Sequence, residues 1–210
     1  MIEVINLKKS FKESVIFENV NVKFEKGNIY GIIGKNGSGK SVFLKILAGL
    51  YYPTSGSVLY DKVNYNKNDA YPPSLRAFID KPHFFNDLNA YDNLKVLTKL
   101  QNKADDKKIK SALDLVNLKS EPSKRFSKFS QGMKQKLALA AIFVEESETI
   151  FLDEPFNAIE EETVNKIVEY INSIKKGKII LITSHHKEDL EKLKVDKVYK
   201  FEKGKMINAK

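Results

Sequence analysis

Cysteine and tryptophan are both absent from the 210-residue chain. Without cysteine, the protein can form neither a disulfide nor a thiolate metal site. No stretch reaches the roughly eighteen consecutive apolar residues that a membrane-spanning helix needs. The N-terminal sequence MIEVINLKKSF lacks the apolar core of a signal peptide. We therefore expect a cytoplasmic protein.

Arginine is nearly absent as well. The formal net charge is +9, yet Arg76 and Arg125 are the only arginines, and the lysines are interspersed with Glu and Asp. Proteins that read base edges, or that hold a phosphate through two hydrogen bonds, favour arginine. We expect a solvated lysine-rich surface and no nucleic-acid partner, with a mild attraction to anionic lipid headgroups as an alternative.

Apolar segments of strand length alternate with helical patterns along the chain. MIEVINL and VIFENVNVKF alternate apolar and polar residues, which predicts two half-buried strands paired as an antiparallel edge. PTSG predicts a turn before a strand around Val58. The short apolar runs typical of buried strands are NIYGII, LRAFI, TIFL and KIILIT, and KVYKFEKGKMI predicts a closing hairpin. With helices after NIYGII, TIFL and KIILIT, the fold class is α/β with a mostly parallel sheet.

Between about Ala90 and Val144 the apolar residues follow helical spacing instead. This pattern predicts a helical lobe inserted into the α/β core. We predict a single domain over residues 1–210. Residues 1–80 and 145–210 form its core with the antiparallel β subdomain, and about 81–144 form its helical subdomain.

The segment GIIGKNGSGKS has the spacing G-x-x-x-x-G-K-S from Gly34 to Ser41, between a predicted strand and a helix predicted over Lys40–Ala48. Glycines there let backbone N–H groups point at phosphate oxygens. In such a loop Lys40 reaches the β- and γ-phosphates, and the Ser41 hydroxyl ligates Mg²⁺. The spacing and its context favour a nucleotide site over a glycine turn with a solvated lysine.

TIFLDEP places Asp153 and Glu154 at the end of a buried strand, where open α/β sheets bind ligands. Asp153 can hold Mg²⁺ through water, and Glu154 can polarise an attacking water. An acidic pair after a strand is usually only a solvated loop. Together with the phosphate loop, it predicts a nucleoside-triphosphatase.

A second possible phosphate site lies at FSQGM, just before an apolar helical run. Backbone N–H groups and the helix dipole attract anions at a helix start. The simpler alternative is a helix that Ser130 caps.

These motifs, in this order, resemble the ATP-binding cassette (ABC) ATPases over essentially the whole chain. GKNGSGKS is similar to the Walker A loop, FSQGM to the signature motif and IFLDEP to Walker B. NAIE resembles the D-loop, TSHH the strand end that carries the switch histidine, and Phe11 the aromatic residue that stacks on adenine. The resemblance implies a P-loop nucleoside-triphosphatase core and a single nucleotide-binding domain.

The resemblance also implies a head-to-tail dimer that buries two MgATP, in which Ser130, Gln131 and Gly132 contact the ATP of a second subunit. Catalysis falls to Glu154 and His185, and dimer contacts to Asn157 and Glu160. His186 is expected to be a bystander in the following helix. The ATP-binding set is Phe11, Gly34, Asn36, Gly37, Ser38, Gly39, Lys40, Ser41 and Val42, and the metal set is Ser41, Asp153 and Asp80.

Three residues depart from the family pattern. Gln131 stands where many members have Gly, Glu160 replaces the usual D-loop Asp, and Asp80 stands where most have the Q-loop Gln. Gln131 leaves the Ser-x-Gly core intact, whereas Glu160 weakens the case for a cross-dimer contact. Asp80 is expected either to offer an oxygen to the metal or simply to cap the turn before Pro82.

The resemblance implies the ATPase subunit of a transporter, with a separate integral-membrane permease and a place on the inner face of the cell membrane. IDKPHFFNDLNAYDNL resembles the subgroup linked to antimicrobial-peptide export and immunity. One alternative is a soluble ABC ATPase that acts in iron–sulfur assembly or on ribosomes or DNA. Another is a nucleotide-binding regulator that hydrolyses poorly, which the intact Glu154 and His185 disfavour.

Overall fold

The computed structural model describes residues 1–12, 14–65, 70–80, 83–100, 105–118 and 123–209. Its strands are β1 (Ile2–Phe11), β2 (Ser14–Phe24), β3 (Asn28–Ile33), β4 (Ser55–Tyr60), β5 (Leu75–Phe78), β6 (Thr149–Asp153), β7 (Ile179–Ser184), β8 (Lys197–Glu202) and β9 (Lys205–Asn208). Its α-helices are α1 (Lys40–Leu47), α2 (Ala90–Leu100), α3 (Asp106–Leu115), α4 (Gln131–Phe143), α5 (Glu161–Ile174) and α6 (Lys187–Lys192), with a 3₁₀ turn at Phe126–Lys128.

The chain divides into two compact units. The first consists of residues 1–79, 147–154 and 172–210, and the second of residues 80–146 and 155–171. The sequence placed residues 155–171 with the core, whereas the structure packs them with the helical segment. That the whole chain forms one nucleotide-binding domain stays a prediction.

The predicted antiparallel pair is confirmed and gains a third strand, in the order β2-β1-β4. Ser55 and Gly56, predicted as part of a turn, already belong to β4. Gly56 has a φ of +86°, and a Cβ there would lie 2.4 Å from the carbonyl oxygen of Asn6 on β1. Only glycine allows this close approach, so this turn residue instead serves strand pairing.

The second sheet has six strands in the order β5-β6-β7-β3-β8-β9. All neighbours are parallel except β8 and β9, which form the predicted closing hairpin. The register places Ile33 opposite Ser184 and Asp153 opposite Thr183. The carboxyl ends of β3, β7 and β6 therefore lie side by side, which is where an open α/β sheet binds its ligand.

Aromatic side chains dominate the core of the first unit. Phe17 and Phe43 pack edge to face, and Phe201 contacts both rings. Phe24 and Tyr30 continue this cluster, and all five side chains are almost completely buried. This core fixes β2, β3, α1 and β8, and with them both ends of the glycine loop between β3 and α1.

In the second unit, α2, α3 and α4 pack on one another. The fully buried Asn93 on α2 accepts the Phe85 N–H and donates to the carbonyl oxygens of Phe85, Leu88 and Asn89. Asn93 thereby satisfies the backbone of the loop that precedes α2. No helix in the described part of the chain is long and apolar enough to cross a membrane.

Tyr60 provides a test of the core. Its nearly buried hydroxyl donates to the Leu47 carbonyl oxygen at 2.7 Å, and burial raises the pKa of Tyr60 far above its ordinary value. We predict that Tyr60→Phe lowers the free energy of unfolding by about 1–2 kcal/mol, because the Leu47 carbonyl is left unpaired. Urea unfolding at neutral pH measures this loss, with the exposed Tyr71→Phe as the control.

The raised pKa adds a pH dependence. The folded state keeps the Tyr60 hydroxyl protonated, so its contribution to stability is full below about pH 10, the pKa of an unfolded tyrosine, and is lost as the pH rises further. Tyr60→Phe should reduce this alkaline loss. Equal stability of Tyr60→Phe and wild type at every pH would contradict the prediction.

Candidate functional site

The glycine loop lies between β3 and α1, as predicted, and α1 begins at Lys40. Gly37 and Gly39 have φ values of +77° and +104°, in the left-handed region that side chains disfavour. A Cβ on Gly34 would lie 2.5 Å from the Ser38 hydroxyl oxygen. These conformations and close contacts explain why glycines occupy the loop.

Lys40 is the buried cation of this loop, with only 5% of its surface exposed. Its Nζ donates to the Gly34 carbonyl oxygen at 2.7 Å and lies 3.3 Å from Oε1 of Glu154. A buried ammonium needs such compensation because its desolvation is costly. The predicted phosphate lysine and the predicted catalytic carboxylate therefore lie in direct contact.

Glu154 also contacts the predicted switch histidine. Its Oε2 lies 2.6 Å from Nδ1 of His185 and 3.3 Å from the His185 backbone N–H. Glu154 itself has a φ of +50°, an unusual conformation for a residue with a long side chain. One carboxylate thus bridges an ammonium and an imidazole at the adjacent ends of β6 and β7.

Asp153, the last residue of β6, is oriented by its neighbour on β7. The Thr183 hydroxyl donates to Oδ1 of Asp153 at 2.5 Å, and the Glu154 N–H donates to that hydroxyl at 3.0 Å. Ser184, the next residue, donates to Asp189 on α6. Thr183 and Ser184 are not among the site residues predicted from the sequence, although both precede His185 in the motif TSHH.

The described residues fit a nucleotide phosphate. The Ser38 hydroxyl oxygen is buried within the glycine loop and has no hydrogen-bond partner among the described residues. A buried hydroxyl of this kind is unusual, and a phosphate oxygen would satisfy it. Ser41 on α1 and Asp153 offer the oxygen ligands that Mg²⁺ prefers, and Mg²⁺ commonly takes its remaining ligands from substrate phosphates and water.

The predicted signature residues begin α4 in the second unit. Ser130 is the N-cap, and its hydroxyl accepts the Met133 N–H at 3.2 Å, so Ser130 does cap this helix. That Ser130 also contacts a nucleotide stays a prediction. A Cβ on Gly132 would lie 2.3 Å from the Ala158 carbonyl oxygen. Gly132 therefore lets the D-loop-like segment pack closely on α4. Gln131 is the exposed first residue of the helix.

Residues 155–160, which include the D-loop-like NAIE, make two further contacts with α4. Gln135 donates to the Pro155 carbonyl oxygen at 3.1 Å, and the buried Lys136 pairs with Glu160 at 2.5 Å. The hydrogen bond from Lys136 lowers the pKa of Glu160. The longer Glu in place of the usual Asp thus reaches a lysine of its own chain. Asn157 is exposed beside it.

The structure also describes the predicted site residues Phe11, Asn36, Val42 and Asp80. Phe11, at the end of β1, is 43% exposed and contacts Tyr51 edge to face, with Lys9 Nζ 4.6 Å from its ring centroid. Asn36 is exposed in the glycine loop, and Val42 is partly buried in α1. Asp80 is exposed with a φ of +64° and belongs to the second unit, and Pro82 lies outside the described residues.

His186 was expected to lie in the following helix, but the helix begins one residue later, at Lys187. His186 precedes α6, its N–H donates to the Ser184 hydroxyl, and its ring centroid lies 3.8 Å from that of His185. The turn before α6 thus places the His186 ring next to the ring of His185.

Comparison with solved structures defines the class of fold. The ATP-binding subunit of an ABC transporter superposes with a TM-score of 0.87 at 22% identity, covering 100% of this chain and 90% of the other. At that identity the likeness shows the fold alone. It confirms the predicted α/β core with a mostly parallel sheet, an antiparallel β subdomain and a helical subdomain.

Sequence comparisons establish the family. The family model described as ABC transporter matches residues 17–157. The chain is 41% identical to the uncharacterized ABC transporter ATP-binding protein YybJ of Bacillus subtilis, over 90% of this chain and 88% of the relative. It is 35% identical to the lantibiotic transport ATP-binding protein SrtF of Streptococcus pyogenes, over 100% and 90%. The chain belongs to the ABC transporter family, as an ATP-binding ATPase subunit.

The contact at Gly132 yields a prediction. Gly132→Ala should lower the free energy of unfolding by about 1–3 kcal/mol, because the new methyl group would overlap the Ala158 carbonyl oxygen and force α4 and residues 155–160 apart. Thermal or urea unfolding measures the loss. Gln131→Ala, one residue earlier and exposed, is the matched control. If Gly132→Ala is as stable as Gln131→Ala, the close approach is not a constraint.

Proposed function

We propose that Lys40, Glu154 and His185 carry out ATP hydrolysis in this chain. The observation that carries the proposal is the Glu154 carboxylate, which lies 3.3 Å from Lys40 Nζ and 2.6 Å from His185 Nδ1 at the mouth of the glycine loop. A phosphate bound in the loop would interact with the Lys40 ammonium. Lys40 would then lose its contacts with the Gly34 carbonyl oxygen and the Glu154 carboxylate. The carboxylate would then accept a proton from water.

In this scheme the water oxygen bonds to the γ-phosphorus while the bond to the β–γ bridging oxygen breaks. The proton of the attacking water passes to Glu154, and ADP and phosphate leave. Backbone N–H groups of the loop and Lys40 bind the phosphates, and His185 orients Glu154 and the γ-phosphate. Mg²⁺, held by Ser41 and Asp153 with Asp80 as a further candidate ligand, would neutralise phosphate charge.

The second phosphate-binding motif fits a pair of subunits. We propose a head-to-tail dimer around two MgATP, in which Ser130, Gln131 and Gly132 of each copy contact the nucleotide in the glycine loop of the other. Phe11 stacks on the adenine, and Asn157 lies at the dimer interface. Because Lys136 of the same chain already holds Glu160, we expect Glu160 to shape its own segment more than it contacts the second subunit.

The dimer would drive a separate membrane permease, against which the protein lies on the inner face of the cell membrane. The name of the Streptococcus pyogenes relative supports an antimicrobial peptide as the transported substrate. That relationship also favours the transporter subunit over the soluble alternatives, since the relative is named a transport protein.

Substitutions that separate binding from hydrolysis test this proposal. Lys40→Ala should abolish MgATP binding and hydrolysis, because the phosphates lose their buried cation. Glu154→Gln should still bind ATP but hydrolyse it at least about 100-fold more slowly, because it lacks the base. Equilibrium binding of a fluorescent ATP analogue and phosphate release measure the two steps. Lys176→Ala, an exposed lysine, is the control.

Hydrolysis by Lys40→Ala at the rate of Lys176→Ala would contradict the proposed site.

The same variants test the transported substrate in cells that express the protein with its permease. Glu154→Gln cells should lose tolerance to a lantibiotic that Lys176→Ala cells retain. Equal tolerance of the two strains, with hydrolysis lost in vitro, would remove the peptide from the proposal and leave the ATPase intact.

A further inference from the structure

Two consecutive hydroxyl side chains, Thr183 and Ser184, end strand β7, and both are buried to 1% exposure or less. Because successive side chains of a strand point to opposite faces, they reach different neighbours. Thr183 contacts the end of β6, and Ser184 contacts Asp189 on α6 at 2.7 Å. The two hydroxyls therefore contact different elements of the fold, and only that of Thr183 reaches a predicted site residue.

The Thr183 hydroxyl has a donor role and an acceptor role. It donates to Oδ1 of Asp153 and accepts the N–H of Glu154. The Thr183 carbonyl oxygen also accepts that N–H, at 3.2 Å. One buried residue therefore fixes the rotation of the Asp153 carboxylate and holds the amide of Glu154 in its left-handed conformation.

This arrangement matters because the two carboxylates have different proposed tasks. A metal ligand works best when a neighbouring hydrogen bond fixes its orientation. A base works only when its backbone directs the side chain at the reacting group. Thr183 touches both residues, whereas Ser184 touches neither within the described contacts and instead accepts the His186 N–H at 2.9 Å.

We propose that Thr183 is a positioning residue that aligns Asp153 for Mg²⁺ and Glu154 for water through a single buried hydroxyl. The proposal rests on the proposed ATPase function and adds a residue to it. Ser184 has a separate role, since its hydroxyl joins β7 to the start of α6.

The test measures how much Mg²⁺ strengthens nucleotide binding. All variants carry Glu154→Gln, so that hydrolysis does not disturb equilibrium binding of a fluorescent ATP analogue. The Mg²⁺ gain is the ratio of the dissociation constant without Mg²⁺ to that with saturating Mg²⁺. Thr183→Val removes the hydroxyl at nearly constant volume, Thr183→Ser keeps it, and Ser184→Ala is the matched loss of the neighbouring buried hydroxyl.

We expect Thr183→Val to bind the nucleotide normally without Mg²⁺ but to lose roughly tenfold or more of the Mg²⁺ gain, as for other residues that orient a metal ligand. Thr183→Ser and Ser184→Ala should keep the parent gain. If Thr183→Val folds poorly by circular dichroism, Thr183→Ala replaces it, since it lacks the hydroxyl and the bulk.

Any one of the following results would overturn the proposal. An unchanged gain in Thr183→Val shows that the hydroxyl does not orient the metal ligand. If Thr183→Ser or Ser184→Ala loses as much of the Mg²⁺ gain as Thr183→Val does, packing at the end of β7 explains the loss and the Thr183 hydroxyl does not. If the parent itself shows no Mg²⁺ gain, or if Lys40→Ala binds nucleotide as tightly as the parent, the proposed function fails, and this inference with it.

Discussion

The buried ammonium of Lys40 is the constraint on which the rest of the site depends. With 5% of its surface exposed, Lys40 requires acceptors close by, and the structure supplies the Gly34 carbonyl and the Glu154 carboxylate. The hydrogen bond to the Gly34 carbonyl requires the loop before α1 to fold back over the start of that helix. Glycines with positive φ make this loop possible. The contact with Glu154 requires β6 to end at the same edge of the sheet as β3, with β7 between them, which the parallel order of the sheet provides.

Two contacts hold the Glu154 carboxylate in place against Lys40. The left-handed turn at Glu154 is supported by Thr183, and the outer carboxylate oxygen is held by His185. These contacts hold a carboxylate between a cation and an imidazole, at the place where we propose that the nucleotide phosphates bind.

Much of this could be predicted from the sequence, because the phosphate loop and the Asp153–Glu154 pair are local patterns. A strand, a fixed spacing of glycines and a helix determine the position of Lys40, and an apolar strand determines that of Glu154. The parallel sheet, its antiparallel companion and the closing hairpin followed from the same periodicities. The comparisons confirm the fold and the ABC transporter family.

What the sequence missed depends on pairings between distant residues. Thr183 is thirty positions from Asp153, and only the register of β6 and β7 brings them together. The contact of Gly132 with Ala158, and of Lys136 with Glu160, likewise places residues 155–171 with the helical unit. No local sequence pattern predicts that Glu160 pairs with Lys136 of the same chain. The roles of individual site residues stay predictions until they are tested by substitution.

In the proposed dimer, the glycine loop of one copy meets the start of α4 of another across a nucleotide. The absence of cysteine allows a direct measurement. Asn36→Cys and Gln131→Cys, placed in two differently tagged copies that also carry Glu154→Gln, would be mixed and treated with a short bis-maleimide. We expect the mixed pair to be cross-linked with MgATP and not with ADP. Cross-linking that is independent of nucleotide, or that joins only identical copies through Asn36→Cys, would contradict it.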